Sequence, residues 1–475
     1  MGRPKRIAFL LIALMLSAGC IGNVRDEIIT ELPDDWKTKT QRTISQPQLV
    51  QFDSCDDMEY SLKASIAEEY RTELLQAVEE IYYWGGGWLE DGMVAEASMD
   101  GDSATTTAPK SQPTRTEGED FSGTNNQEQG VDEADFIKTD GYYIYVLQGS
   151  SLSIMEIPEF GEIEFASNFS IEGSPISMML QDDRLIVLSS YNPWSINSED
   201  GLYEYLRWGG EYSQWRVNSL TKYTTFDISN RSSPEIIQEL YLEGYNVDAR
   251  EIDGSVRAIT HSWLNIPGLS NWLNMPSAYY DLEWDDPERK TYREMIAYET
   301  IQANDKVLEA IALEDLVPKI YQRVDGEIIE HDMRSESCEN FAQPMDGFSR
   351  GFTNILSLDL FSPRFVFESD HLLSNHPLVY ASKDALVLTE NSWDWWWFWG
   401  QDEVDEMTNI HTFDISVPGV TTYTGSGRID GQILNQFCIS EHEGVLRIAT
   451  TVGQWNRWWM DCLLYTSDAA DESRG

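Results

Sequence analysis

Positive charge is what this sequence is shortest of. Across 475 residues, 33 Lys and Arg face 81 Asp and Glu, for a formal charge of -48 and a pI near 4.2. A chain of that sign repels phosphate backbones and anionic headgroups, which excludes nucleic acid and any electrostatic hold on a membrane. The acids are spread along the chain, the pattern of a protein kept soluble in a salty medium, where screening over ~10 Å tolerates self-repulsion. Catalytic signatures are missing too. No Gly-x-Ser-x-Gly elbow, His-Glu-x-x-His pair, phosphate-cradling glycine loop or Cys-x-x-Cys pair occurs, which disfavours the common hydrolase and nucleotide classes. Sites assembled from single residues on separate elements leave no such trace. Past the first twenty residues no apolar run approaches the length of a membrane-spanning helix.

Those first twenty residues have their own logic. Arg3, Lys5 and Arg6 precede an apolar run from Ile7 to Leu16, then Ser17-Ala18-Gly19 and Cys20. Small residues directly before a cysteine resemble a lipoprotein signal, so residues 1–20 are read as that signal segment, with cleavage expected just before Cys20 and lipid on Cys20 as the new N-terminus. The mature protein would then sit at the outer face of the cytoplasmic membrane, anchored but not spanning it. At the other end, the stretch beginning at Cys462 resembles the translation of a sequencing-adapter read-through, so 462–475 is expected to be a non-native tail on a longer natural chain. Cys55, Cys338 and Cys438 remain. Cys438 lies in an apolar strand pattern, which leaves Cys55 with Cys338 as the expected disulfide in an oxidising compartment.

Within residues 21–94, Met58, Leu62, Ile66, Leu74, Val78 and Ile81 mark one stripe of a helix from about Asp56 to Tyr83. Residues 95–127 are nearly free of apolar side chains and read as a disordered acidic and polar linker. From there to residue 461 a period appears. A polar turn leads into a short β-rich run at Asp140, Asp182, Asp253, Lys383 and Glu443, and a second run ending at an aspartate follows at Asp227, Asp359 and Asp414. Four antiparallel strands per unit, with about five units visible, is the pattern of an all-β β-propeller. Two insertions interrupt it. The one at about 262–350 carries a helical pattern opened by Asp286 and Pro287. The other holds Trp393, Trp395, Trp396, Trp397, Phe398 and Trp399.

The opening stretch Asn126-Gln-Glu-Gln-Gly-Val-Asp-Glu-Ala-Asp-Phe-Ile-Lys-Thr-Asp-Gly141 resembles the first motif of a family of secreted archaeal and bacterial β-propeller proteins, distantly similar to WD-type repeats. Leu434-Asn-Gln-Phe437, Leu446 to Thr451 and the tryptophans before Ile410-His-Thr-Phe413 are similar to further landmarks in the same order. The resemblance implies the fold, an extracytoplasmic setting and a ring continued by further blades. It supplies no catalytic residues.

Candidate chemistry is thin. His261 and His411 end or follow strands and could face a central channel, but no second metal ligand stands at a useful spacing, so no metal site is expected. Asp132, Glu133 and Asp135 cluster with Lys138 and Asp140, where ion pairing and turn capping are the plainer roles. Structural calcium is the one cofactor the other acidic clusters leave open. The expected function is therefore a lipid-anchored binding or scaffolding module for an extracellular protein or glycan, using Trp393, Trp395, Trp396, Trp397, Trp399 and His411. The alternatives are an enzyme acting on polysaccharide or peptide, with carboxylates, Arg250 or His411 at the channel mouth, and a structural surface protein. An enzyme requires ionisable groups converging on the channel; a binder requires an aromatic rim.

Overall fold

A computed structural model describes residues 32–38, 46–79, 115, 127–128, 131–208, 214–345, 349, 351–362, 366–391 and 406–452. Strands are numbered along the chain; β1 (Leu49–Gln51) and β2 (Asp132–Glu133) lie outside the repeat. The first sheet is β3 (Ile137–Thr139), β4 (Tyr143–Gln148), β5 (Ser151–Glu156) and β6 (Glu164–Ser170), hydrogen-bonded in that order. The second is built on β7 (Ser174–Gln181), β8 (Arg184–Tyr191), β9 (Leu220–Asp227) and β10 (Glu235–Glu243). The third uses β11 (Tyr245–Ile252), β12 (Ser255–Ser262), β16 (Phe352–Asp359) and β17 (Phe367–Leu373). The fourth is β18 (Leu378–Ala381), β19 (Ala385–Asn391), β20 (Met407–Asp414) and β21 (Thr422–Asp430), and β22 (Ile439–His442) with β23 (Val445–Ile448) begins a fifth. The chain is thus mostly β, in four-stranded antiparallel blades, as the repeat predicts. Among the described residues the sheets do not close on themselves.

Turn chemistry accounts for the recurrence. The first two strands of the second, third and fifth blades meet in tight turns where Asp182, Asp253 and Glu443 adopt φ near +50°, followed in two cases by Gly254 and Gly444 at positive φ, the geometry a two-residue hairpin needs. The aspartates at the ends of third strands have a job as well: Asp227, Asp359 and Asp414 each accept the backbone N–H two residues on, at 2.9 Å, closing an Asx turn. Successive blades then pack face to face. Tyr145, Leu152 and Ile154 meet Leu185, Val187 and Phe226; Ile186 and Leu188 meet Val256 and Ala258; Ile259 and Ile355 meet Leu386 and Phe413. Burial of such side chains, about 1.5–3 kcal/mol each, joins sheets that share no ladder.

Because each blade is a meander, the connection from second to third strand emerges on the same rim in all of them. The second blade carries a connection over 192–219 with helix α2 (Gly201–Tyr205). The third carries 263–351, with α3 (Ser277–Tyr280), α4 (Glu288–Ala310), α5 (Leu313–Leu316), the hairpin β13 (Lys319–Val324) and β14 (Glu327–Asp332), and β15 (Phe341–Pro344). The helix α4 starts one residue later than the sequence suggests: Pro287 is its cap, and Asp286 Oδ1 accepts from Glu288 N at 2.9 Å. The hairpin has no counterpart in the expected repeat. It extends the second blade, with β13 paired to β10. A buried clamp holds it there: Arg216 donates to both oxygens of Glu243 at 2.9 and 3.3 Å and to the Asp315 and Val317 carbonyls, while Glu243 also accepts from Lys319 N and Tyr321 Oη.

The N-terminal helix is integrated, not merely tethered. Helix α1 (Cys55–Val78) is capped by Ser54 Oγ and packs against α4 through Leu74, Leu75, Val78, Ala297 and Ile301. Its other end joins Met58, Leu62 and Ile66 to Leu264, Ile266, Phe341 and Phe352, and β1 pairs with β15 on the edge of the third blade. Cys55 and Cys338 form a disulfide with Cα atoms 5.0 Å apart, across 283 residues; Cys438 is free and half-buried. Within the expected linker, Arg115 is docked, donating to the Gly141, Ile157 and Pro158 carbonyls and lying over the Tyr142 and Phe160 rings.

The disulfide closes a very long loop over a well-packed contact. Replacing both cysteines by serine is expected to cost about 2–5 kcal/mol in chemical denaturation, with blade folding retained by circular dichroism; a change below about 0.5 kcal/mol would show that packing alone fixes the helix.

Candidate functional site

The first strands of the blades converge on the opening segment. Glu133 and Asp132 in β2 pair with Arg250 and Glu251 in β11, and Asp135 forms a bridge with Met178 in β7 through reciprocal bonds of 3.0 and 2.8 Å. Asp132 Oδ2 also accepts from Leu180 N. Just upstream, Glu128 accepts from Tyr380 Oη at 2.6 Å, and Gln127 Nε2 donates to the Gln436 and Ile439 carbonyls at 3.0 Å. One short segment therefore touches the leading strands of blades two, three and four and the start of the fifth. Val131 is fully buried among Ile252, Val379 and Ala381. The segment lies along the inner edges of these sheets.

The ionisable groups beside this segment are engaged by it and by their own strands. Arg250 bonds Asp248, lies 3.6 Å from Glu133, and donates to Gln436 Oε1 at 3.0 Å. Lys138, almost wholly buried, binds Asp132 at 2.6 Å and the Glu133 carbonyl. Burial pushes Asp248 up to about 6, against the pull of Arg250, and Glu251 up to about 7, helped by the nearby charges of Asp132, Asp253 and Asp182 and opposed by the Gly254 N–H.

The rim is different in kind. Tyr245 opens β11 directly opposite His261 near the end of β12. Gly244, at φ +114°, makes that approach possible, since a Cβ there would stand 2.4 Å from the His261 carbonyl. Gly173 and Gly431 hold the same place before β7 and ahead of the fifth blade, each 2.7 Å from a carbonyl by the same measure. Around His261 the Trp263 ring stands edge-on at 4.5 Å, and Tyr245 stacks on His376 at 5.4 Å and 11°. Trp263 is 42 % exposed and His376 is exposed. His261 itself is fully buried, its Nδ1 bonded to Thr353 Oγ1 at 3.0 Å; burial holds it well below its ordinary value, so it stays neutral. Farther along, Trp194, 68 % exposed, lies 6.3 Å from Trp215, which Tyr203 meets edge-on at 5.4 Å and Arg207 covers. Asn265, two residues past Trp263, joins the groups by donating to the Trp215 carbonyl and to Asn218 Oδ1.

A family model described as a beta propeller domain matches residues 121–472. The chain belongs to that family. An uncharacterized protein of Methanocaldococcus jannaschii is 23% identical over 425 residues, covering 82% of this chain and 58% of the relative. One from Archaeoglobus fulgidus is 22% identical over 403 residues, covering 79% and 57%. The chain thus spans less than two thirds of the length of these relatives. The N-terminal domain of Nup159 aligns with 70% of this chain and 69% of its own at 8% identity and a TM-score of 0.22, a likeness too slight to carry an argument.

In the propeller, His411 sits in the third strand of its blade, fully buried and bonded through Nδ1 to Ser426 Oγ. His261 is on the rim, not in the channel. Trp393, Trp395, Trp396, Trp397 and Trp399, with Cys20, lie outside the described residues, but the flanking Asn391 and Met407 end and begin strands on the same rim. Arg250 is in β11, engaged as above. Among the described residues no three His, Cys, Asp or Glu side chains gather as a metal site would need. Tyr245, Trp263, His376, Trp194 and Trp215 carry no sequence motif; the usable signal was their position at strand ends once the blades were assigned.

The raised acids set a pH dependence. Glu251 and Asp248 contribute stability that is complete below the ordinary carboxylate range and is lost as pH rises through about 6 to 7. Neutral, buried His261 and His371 pull the other way below about pH 6.5, so the informative quantity is a difference. Glu251→Gln should melt above wild type at pH 8 and lose that advantage by pH 4.5, with a swing of up to ~3 kcal/mol; parallel melting curves across that range would refute the assignment.

Proposed function

We propose that this propeller is a binding module, presented outside the cytoplasm and held to the membrane by lipid on Cys20, that takes an extracellular protein or glycan on its insertion rim. The observation that supports it is the braced aromatic group around Trp263. Its rings are held from behind by Tyr245 and His261, with one side open to solvent. Soluble proteins rarely leave such surface uncovered without a use. The leading strands, where a propeller enzyme would gather its acids and bases, are paired with the chain's own opening segment. The anchor rests on the sequence before Cys20; among the described residues no helix is long and apolar enough to cross a membrane.

Immobilised full-length chain probed with a glycan array and a peptide library should retain ligands of one class. Trp263→Ala and His376→Ala should each weaken retention about tenfold or more while shifting Tm by less than about 4 °C. Blank arrays, or variants that only lower Tm, would end the binding reading. Separately, Cys20→Ala should move the protein from the membrane to the soluble fraction of its native host.

A further inference from the structure

Resting on that reading, we infer that the rim ligand is a neutral polysaccharide lying along blades two to four, with Trp194 and Trp263 as two stacking platforms.

The first part of the case is electrostatic. Three cations near this rim are already committed to carboxylates, while Arg207 is engaged by the Tyr203 hydroxyl and by the Tyr203 and Trp215 rings. Lys222, 2 % exposed, is bonded to Glu172 and to Glu239. Arg323 is 3.0 Å from Asp200, and Arg216 is held bidentately by Glu243. No one of them is left to grip a uronate or sulfate, and a chain of formal charge -48 repels polyanions at longer range. The same pairs occupy Glu172 and Glu243: Glu172 also accepts from Tyr191 Oη at 3.0 Å and Tyr241 Oη at 2.7 Å, and Glu243 accepts from Tyr321 Oη. A basic peptide would find these acids taken.

The second part is what remains once the charges cancel. It is flat rings and uncharged polar groups. Trp194 and Trp263 are the exposed faces; Trp215, itself met edge-on by Tyr203, lies against the one, and His261 and Tyr245 brace the other. Both are therefore fixed in orientation before any ligand arrives, which lowers the ordering cost of binding. Between them lie the amides of Asn265 and exposed Asn218. Beside Trp263, Asn375 Nδ2 and the fully buried His261 Nε2 have no hydrogen-bond partner among the described residues. Gly351 packs closely against both: a Cβ on it would stand 2.6 Å from Trp263 Nε1 and 2.7 Å from His261 Nε2. Apolar ring faces flanked by neutral donors and acceptors match a pyranose, which presents C–H faces edged by hydroxyls. Two platforms joined through the Trp215 carbonyl and Asn265 suit a polymer more than a single sugar.

The test is affinity electrophoresis of the full chain through gels containing α- and β-linked glucans, mannans, galactans or xylans, with alginate and polygalacturonate as the anionic arm and a lysine-rich peptide by calorimetry as the basic arm. At least one neutral polymer should retard the wild type. Trp194→Ala and Trp263→Ala should each weaken that retardation about tenfold, and Trp263→Phe should keep most of it, which separates loss of the platform from loss of fold. Phe165→Ala, an exposed aromatic on the first blade, should leave it unchanged. No retardation by any neutral polymer overturns the inference. If alginate, polygalacturonate or the basic peptide then binds in a Trp263-dependent way, the binding-module reading stands and only the ligand class falls. If nothing binds through Trp263, both fall.

Discussion

The contact on which the rest depends is that between the opening segment and the leading strands. Blades of a propeller pack through apolar faces and share no hydrogen-bonded ladder, so the axis is where their inner edges would otherwise meet water. Here Gln127 to Asp135 supplies partners to Met178, Leu180, Arg250, Tyr380, Gln436 and Ile439. A segment that bonds to the start of so many sheets couples them, and the Lys138–Asp132 and Arg250–Glu133 pairs make the coupling specific, since removing one partner would strand a buried charge.

Pairing the leading strands with this segment moves the search for function outward. Asp248 and Glu251 lie in the strand paired with this segment, and burial is the largest cause of the rise in each, so their perturbation reads as the cost of burial and not as preparation for proton transfer. The meander then decides which surface is left. Long connections of the second, third and fourth blades all leave by one rim, where glycine before a first strand lets the backbone turn closely past the end of the second. Aromatic side chains collect there because strand ends meet there.

Much of the architecture was legible because it is written in local chemistry. Turn residues at positive φ recur in the second, third and fifth blades and aspartates closing third strands in the second, third and fourth, and the helix over Cys55–Val78 follows from its apolar spacing. The Lys138–Asp132 pair and the turn cap by Asp140 were readable for the same reason. What could not be read is long-range. Nothing near Glu133 announces Arg250, and nothing in Lys319–Asp332 announces that it would extend the second blade. Tyr245 and Trp263 meet only because β11 and β12 pair, and His376 joins them from the connection between blades. His411 had the right residue type in a strand whose side chain turned inward.

Native-state hydrogen exchange across the opening segment tests the account most directly. Amides of Asp132 to Asp135 should exchange only with those of Met178 and β11, near the rate set by global unfolding. Fast exchange of the segment while the leading strands stay protected would show that the segment merely lies beside them and that the blades hold together without it.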